Sequence, residues 1–151
     1  MTRTTHTTLP TVIDAVKALA HPGRLRILAM LRGGDLCVCQ MTAVLELAAS
    51  TVSSHLSDLR RAGFVTERKS GKWVYYHLID AGPLSELVRQ ALRLVDEDDR
   101  LGQDARVVDA LRKISLDTFC RTGFDRMAVG AAPRTAAKRT RSRPSTTRRH
   151  A

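Results

Sequence analysis

The most constraining feature of this sequence is the order of its elements between residues 11 and 78. Apolar residues recur at helical spacing in four short segments, which predict helices over 12–20, 22–32, 35–47 and 50–62. A stretch rich in β-branched and aromatic residues follows, and predicts a β-hairpin over 64–78. Four short helices before one hairpin predict a mainly α domain with a small β-hairpin.

Turn and cap residues separate these segments. Thr11, with Asp14 three residues later, resembles a capping box at the first helix, and Pro22 suits the first turn of the second. Gly33 and Gly34 end the second helix, and Asp35 is expected to cap the third. Ser50 or a neighbour caps the fourth helix, which Gly63 stops.

Two further helices are expected after the hairpin. The first, over 84–95, carries a broad apolar stripe of the kind that packs against a partner subunit. A weaker helix is expected from about 104 to 119, with Cys120 at its end. The stripe of the first consists of Leu84, Leu87, Val88, Ala91, Leu92 and Val95.

The charge is unevenly distributed. The formal net charge is +10, but seven basic residues lie after Met127, where there is no acidic residue. We therefore expect a flexible arm over 1–10, a DNA-binding and dimerisation domain over 11–98, a helical extension over 99–126 and a basic disordered tail over 127–151.

The order of elements indicates a winged helix-turn-helix, in which one helix enters the major groove and the hairpin lies along the DNA backbone. Phosphate contacts are expected from the hairpin bases Arg68, Lys69 and Lys72. The outer face of the fourth helix is small and polar. Its candidates for DNA contact are Ser50, Thr51, Ser53, Ser54, His55, Ser57 and Arg61.

Cysteine usage and hydropathy indicate a cytoplasmic protein. No segment approaches the roughly 20 apolar residues of a membrane span, so no membrane partner is expected. The three cysteines are Cys37, Cys39 and Cys120. In a reducing compartment an odd number of thiols favours metal binding or oxidant sensing over a structural disulfide.

Residues 18–78 contain ALAHPGRLRIL, DLCVCQM, TVSSHLSDLRRAG and GKWVYYHL. With these motifs the chain resembles the ArsR/SmtB family of metal- and metalloid-responsive repressors. The resemblance implies a homodimer, built from the first and last helices of the domain (12–20 and 84–95). It also implies that the dimer binds double-stranded operator DNA and leaves it when a thiophilic ion binds, with Cys37 and Cys39 as ligands.

Cys37 and Cys39 are two residues apart at the start of the third predicted helix. On an intact helix they differ by about 200° and point to nearly opposite sides. Joint coordination therefore requires the first turn to unwind, or to be non-helical already. We expect the helix start to lower the thiol pKa, with Asp35 opposing this slightly. The alternative is that both are small, partly buried apolar residues.

The third ligand is open. In arsenic-responsive relatives a third cysteine follows, but Thr42 stands at that position here, and a hydroxyl is a poor ligand for soft ions. Water or a small thiol can complete the set, or Cys120 can do so if the last helix folds back. The sequence lacks the further ligands that zinc-, cadmium- and lead-responsive relatives carry. It therefore favours As(III) or Sb(III) as inducer, ahead of Cd(II) or Pb(II).

Three other functions are alternatives for a chain with these features. A redox sensor of the same fold would release DNA when its thiols oxidise. A sequence-tolerant DNA-packaging protein would act through the basic tail. A thiol oxidoreductase is the least favoured, because no acid-base dyad, phosphate loop or cofactor motif accompanies the cysteines. An enzyme is not expected.

Overall fold

The computed structural model describes residues 6–122. The predicted arm thus lies partly, and the basic tail wholly, outside the described residues. The elements in chain order are helices α1 (Leu9–Leu19) and α2 (Pro22–Leu31), strand β1 (Leu36–Cys37), helices α3 (Val38–Leu45) and α4 (Ala49–Arg61), strands β2 (Val65–Ser70) and β3 (Trp73–Leu78), and helices α5 (Pro83–Leu94), α6 (Asp99–Arg112) and α7 (Leu116–Thr122).

The predicted helices are present, with three corrections at their starts. Ser50 does not cap α4, because this helix begins at Ala49 and its N-cap is Ala48, which has no side-chain cap hydrogen bond. Helix α1 begins at Leu9, because Thr8 and not Thr11 is its N-cap: the Thr8 hydroxyl accepts a hydrogen bond from the Thr11 amide. Asp35 does not cap α3. The chain remains extended through Leu36 and Cys37, and Cys37 takes the N-cap position with φ −91° and ψ 164°. Gly63 follows α4 with a positive φ of 82°, as its stop role requires.

The three strands form one antiparallel sheet in the order β1-β3-β2. Strand β2 continues to Ser70, so only Gly71 and Lys72 turn the chain between β2 and β3. Strand β1 was not predicted. Leu36 pairs with Tyr76 and Cys37 with Tyr75. A pair of residues just ahead of α3 is thereby joined to the hairpin.

The C-terminal extension packs into the same core as the rest of the domain. Val107, Val108 and Leu111 of α6 are buried in it, and α6 packs on α2 and α3. The single helix expected over 104–119 is instead two helices. They separate near Ser115, whose hydroxyl accepts a hydrogen bond from the Thr118 amide and so starts α7.

Exposed apolar side chains concentrate on α1, and α5, which contacts α1, adds one more. The members are Leu9, Val12, Ile13, Val16 and Leu94, with Leu94 87% exposed. Monomeric domains rarely leave so many large apolar groups in water at one place. In the described part of the chain, no helix has the length and apolar character needed to cross a membrane.

Candidate functional site

Helix α4 separates into a buried and an exposed face as predicted. Val52, Leu56 and Leu59 are buried in the core. The exposed set comprises Ser50, Thr51, Ser53, Ser54, Ser57 and Arg61. Small hydroxyl side chains on an exposed helix let its backbone approach a groove closely, so this face retains the properties of a DNA-reading surface.

His55 is the exception, and its expected place near base edges is wrong. Its side chain is buried, and its ring lies 4.4 Å from that of His21, centroid to centroid. His21 is the N-cap of α2, and its Nδ1 accepts a hydrogen bond from the Gly23 amide. Burial, His21 and Arg24 lower the pKa of His55. The residue therefore joins α4 to α2.

Arg24 is a positioning residue that the sequence did not reveal. Its guanidinium donates to the Ala18 and Lys17 carbonyl oxygens at the end of α1, and it pairs with Asp58 of α4 at 3.3 Å. Asp58 also pairs with Arg61 on the exposed side. The one acidic residue of α4 is therefore compensated by two arginines.

The bases of the hairpin are exposed, but two of them already have acidic partners. Arg68 pairs with Asp35 at 3.1 Å and lies over the Tyr75 ring. Lys72 pairs with Asp117 of α7 and lies 5.1 Å from the centre of the Trp73 ring. Among the salt bridges within residues 6–122, none involves Lys69.

Cys37 and Cys39 lie side by side. Because Cys37 precedes the first turn of α3 in extended conformation, the two residues do not follow helical geometry, and their sulfur atoms are 2.7 Å apart. Both thiols are free. Of the two routes to joint coordination, the non-helical start is therefore the one present. The unwinding of an intact turn is not needed.

Two neighbouring side chains hold this geometry. The buried Gln40 side chain accepts a hydrogen bond from the Cys37 amide at 3.0 Å. The Thr42 hydroxyl donates to the Val38 and Cys39 carbonyl oxygens at 2.8 Å each. Thr42 thus acts on the backbone of α3. The Cys37-x-x-Gln40 spacing is that of a capping box, and this local signal could have identified Cys37 as the N-cap.

Cys120 lies next to the pair in the same protomer. Helix α7 folds back over the domain and brings the Cys120 sulfur within 4.0 Å of the Cys39 sulfur. Cys37 is buried, Cys39 half-buried and Cys120 exposed, so the three thiols lead from the core to the surface. Across residues 6–122 no set of three or more His, Cys, Asp and Glu side chains is arranged to hold one metal ion. The thiols are neighbours, and a three-ligand site requires a small movement of α7.

The Cys39 thiol is protonated at neutral pH in this arrangement. Burial, with the adjacent Cys37 and Cys120, raises the pKa of Cys39 to about 12. The expected lowering by the helix start is therefore wrong for Cys39. Burial, together with the neighbouring thiols, outweighs the favourable helix dipole at this residue.

The segment that carries Cys37 and Cys39 contacts both α4 and the hairpin, the two elements that would read DNA. Helix α3 packs against α4. Strand β1, which contains Cys37, pairs with β3 of the hairpin. The segment that contains Cys37 and Cys39 is therefore in contact with both α4 and the hairpin.

Known proteins are similar to this chain in sequence. Residues 21–67 match the family described as bacterial regulatory protein, arsR family. The arsenic resistance transcriptional regulator ArsR1 of Pseudomonas putida is 48% identical over 63 residues, which are 41% of this chain and 49% of that protein. The arsenical resistance operon repressor of Escherichia coli is 37% identical over 93 residues, 61% of this chain and 75% of that protein. The chain thus spans about half the length of the first relative and three quarters of the second.

A solved structure agrees with the fold. The homodimeric winged helix-turn-helix DNA-binding domain of a possible ArsR-family regulator from Mycobacterium bovis is 29% identical, with a TM-score of 0.52. The match covers 59% of this chain and 82% of that one. The predicted winged helix-turn-helix is therefore confirmed.

Proposed function

Because the chain belongs to the arsR family of bacterial regulatory proteins, which are DNA-binding transcriptional regulators and not enzymes, we propose that it is a repressor induced by a trivalent metalloid. Arsenite or antimonite binds Cys37 and Cys39 first, and Cys120 completes the site. The observation that carries this proposal is the convergence of all three thiols within one protomer.

The sulfur spacings are close to those that one central atom requires. With bonds near 2.3 Å, as zinc forms to sulfur, and bond angles of about 90° to 109°, two sulfur ligands of one ion lie about 3.3 to 3.8 Å apart. The Cys37 and Cys39 sulfurs, at 2.7 Å, must therefore separate slightly, and the Cys120 sulfur, 4.0 Å from that of Cys39, must approach. A short movement of α7 toward Cys39 gives a three-sulfur site, and Cys120 takes the role that Thr42 leaves vacant.

The protonated thiol of Cys39 matches the chemistry of arsenous acid. Each thiol gives its proton to a departing hydroxide, so one As–O bond and one S–H bond break while one As–S bond and one water molecule form. Three such exchanges yield As(SR)₃ and three waters with no net proton release. A divalent cation must instead expel a proton at each thiol it binds. The raised pKa of Cys39 therefore penalises Cd(II) and Pb(II) more than As(III).

Release of DNA follows from the two contacts of the thiol site, namely the packing of α3 on α4 and the pairing of β1 with β3. Ion binding favours the arrangement in which β1 and α3 close around it, and this changes the position of the hairpin relative to α4. The coupling between ion and operator is commonly 1–3 kcal/mol, or about 5- to 150-fold in affinity. The residues of α4 that would face base edges are Ser50, Thr51, Ser53, Ser54, Ser57 and Arg61. The hairpin residues that would contact phosphates are Arg68, Lys69 and Lys72.

The operator-binding form is a homodimer in this proposal. The exposed apolar residues of α1, with Leu94 of α5, would supply part of the interface that the family resemblance assigns to the first and last helices of the domain. Most of the apolar stripe expected on α5 packs instead in the protomer's own core, where Val88 and Leu92 are buried. The Mycobacterium bovis domain, described as homodimeric, supports the same assembly. Two copies would present two α4 helices to successive half-sites.

The test is operator release titrated with arsenite, antimonite, cadmium and lead, for the wild type and three single Cys→Ser variants. We expect Cys37→Ser and Cys39→Ser to abolish release, and Cys120→Ser to weaken it. Full release from the Cys37→Ser and Cys39→Ser variants would disprove the site. A parallel arm with peroxide and no metal tests the redox alternative, which the proposal expects to give no release.

A further inference from the structure

The acidic partners of the hairpin bases lie beside the thiols. Asp117, which pairs with Lys72, is three residues before Cys120 on α7. Asp35, which pairs with Arg68, is two residues before Cys37. Residues three apart on a helix share a face, so the Asp117 carboxylate and the Cys120 thiol leave α7 on the same side.

The Lys72–Asp117 pair is exposed on both sides, with 68% and 70% of the side chains accessible. Exposed ion pairs of this kind are weak and screened by salt. The Lys72 ammonium is therefore available to a DNA phosphate when α7 is free to move away. The pair competes with DNA without excluding it.

We propose that α7 acts as a latch on the hairpin. When an ion fills the thiol site, Asp117 of α7 stays paired with Lys72 and neutralises its charge. An ion that ties Cys120 to Cys37 and Cys39 fixes α7 against the domain. Asp117 is then held beside Lys72 at a high effective concentration, and a phosphate no longer displaces it. This step deepens the proposed function and rests on it, because it adds an electrostatic route from ion capture to lost DNA affinity beside the movement of β1 and α3.

The latch has a measurable electrostatic consequence. Each phosphate contact contributes about −0.9 to the slope of log K against log salt. Two hairpins in a dimer each lose the Lys72 contact when the latch closes. The salt slope of the ion-bound dimer is therefore expected to be shallower than that of the ion-free dimer by about 2.

The test compares the wild type with Asp117→Asn and with Asp109→Asn, a control that removes an exposed charge on α6. We expect Asp117→Asn to bind operator severalfold more tightly without ion. With arsenite bound, it should retain the ion-free salt slope and lose much of the release. Asp109→Asn should behave as the wild type. Because Asp117 is exposed, the substitution leaves the core intact.

Failure of the latch and failure of the site give different results. Near-ultraviolet absorbance of As–S bonds reports ion capture in each variant. If Asp117→Asn captures arsenite and releases operator like the wild type, with the same change in slope, the latch is wrong and the thiol site stands. If the wild type captures no arsenite, the proposed inducer is wrong. In that case the latch is tested by operator affinity without ion. If Asp117→Asn and the wild type bind operator DNA equally tightly, the latch is also wrong.

Discussion

Removing the Asp104 carboxylate should strongly destabilise the fold. Asp104 of α6 binds the Arg26 guanidinium of α2 through two hydrogen bonds of 2.7 and 2.8 Å. Their side chains are only 3% and 14% exposed. The pair fixes the extension that carries α7, and with it Cys120, to the helix-turn-helix domain.

The size of the effect follows from burial. Asp104→Ala leaves the Arg26 charge out of water without its partner, and breaking a buried pair in this way costs about 3–5 kcal/mol. For a chain of this length each kcal/mol lowers Tm by roughly 2–4 °C, so the expected decrease is roughly 6–20 °C. Replacing both residues by apolar ones, in Arg26→Met with Asp104→Leu, should recover most of the loss.

The assay is urea unfolding followed by Trp73 fluorescence and circular dichroism, at one protein concentration because dimerisation adds to stability. Asp109→Ala, an exposed change on the same helix, is the matched control and should stay within about 0.5 kcal/mol of the wild type. A loss below about 1 kcal/mol for Asp104→Ala would refute the reasoning. So would a double variant as unstable as the single one.

Three further predictions concern assembly and pH. Ile13→Glu should shift the protein to monomers in analytical ultracentrifugation. Val74→Glu, at an exposed apolar site on the hairpin, is the control and should leave the dimer intact. If both variants are dimers, the interface lies elsewhere. The lowered pKa of His55 means that the unfolded chain protonates first as the pH falls below about 6.5, so stability should decline there until the folded pKa is passed. The urea midpoint of His55→Gln should decline less between pH 7 and 5, and an unchanged decline would contradict this. Because the pKa of Cys39 is raised to about 12, cadmium affinity should rise about tenfold per pH unit for each thiol deprotonated between pH 6 and 8. Arsenite affinity, measured by the same competition titration, should stay nearly constant, and an equal rise for both would argue against hydroxide exchange.

The helices and hairpin were predictable because their signals are local. Helical spacing of apolar residues, Pro22 at the start of α2 and Gly63 at the end of α4 all act within a few residues. The buried and exposed faces of α4 follow from the same periodicity. His55 was misplaced because its burial depends on the packing of α4 against His21, which the pattern of one helix does not report.

The thiol site was only half predictable. The two-residue strand β1 exists because β3 pairs with it, so the extended Cys37 depends on residues almost 40 positions later. The position of Cys120 depends on the break at Ser115 and on the anchoring of α6 by Arg26 and Asp104. Such long-range contacts leave no periodic trace in the sequence.

The number of sulfur atoms bound to arsenic tests the central claim most directly. X-ray absorption at the arsenic edge should show three As–S bonds in the wild type. In Cys120→Ser it should show two As–S bonds and one bond to oxygen, and in Cys39→Ser no stable complex. Three sulfurs in the Cys120→Ser variant, or fewer than three in the wild type, would contradict the three-thiol site.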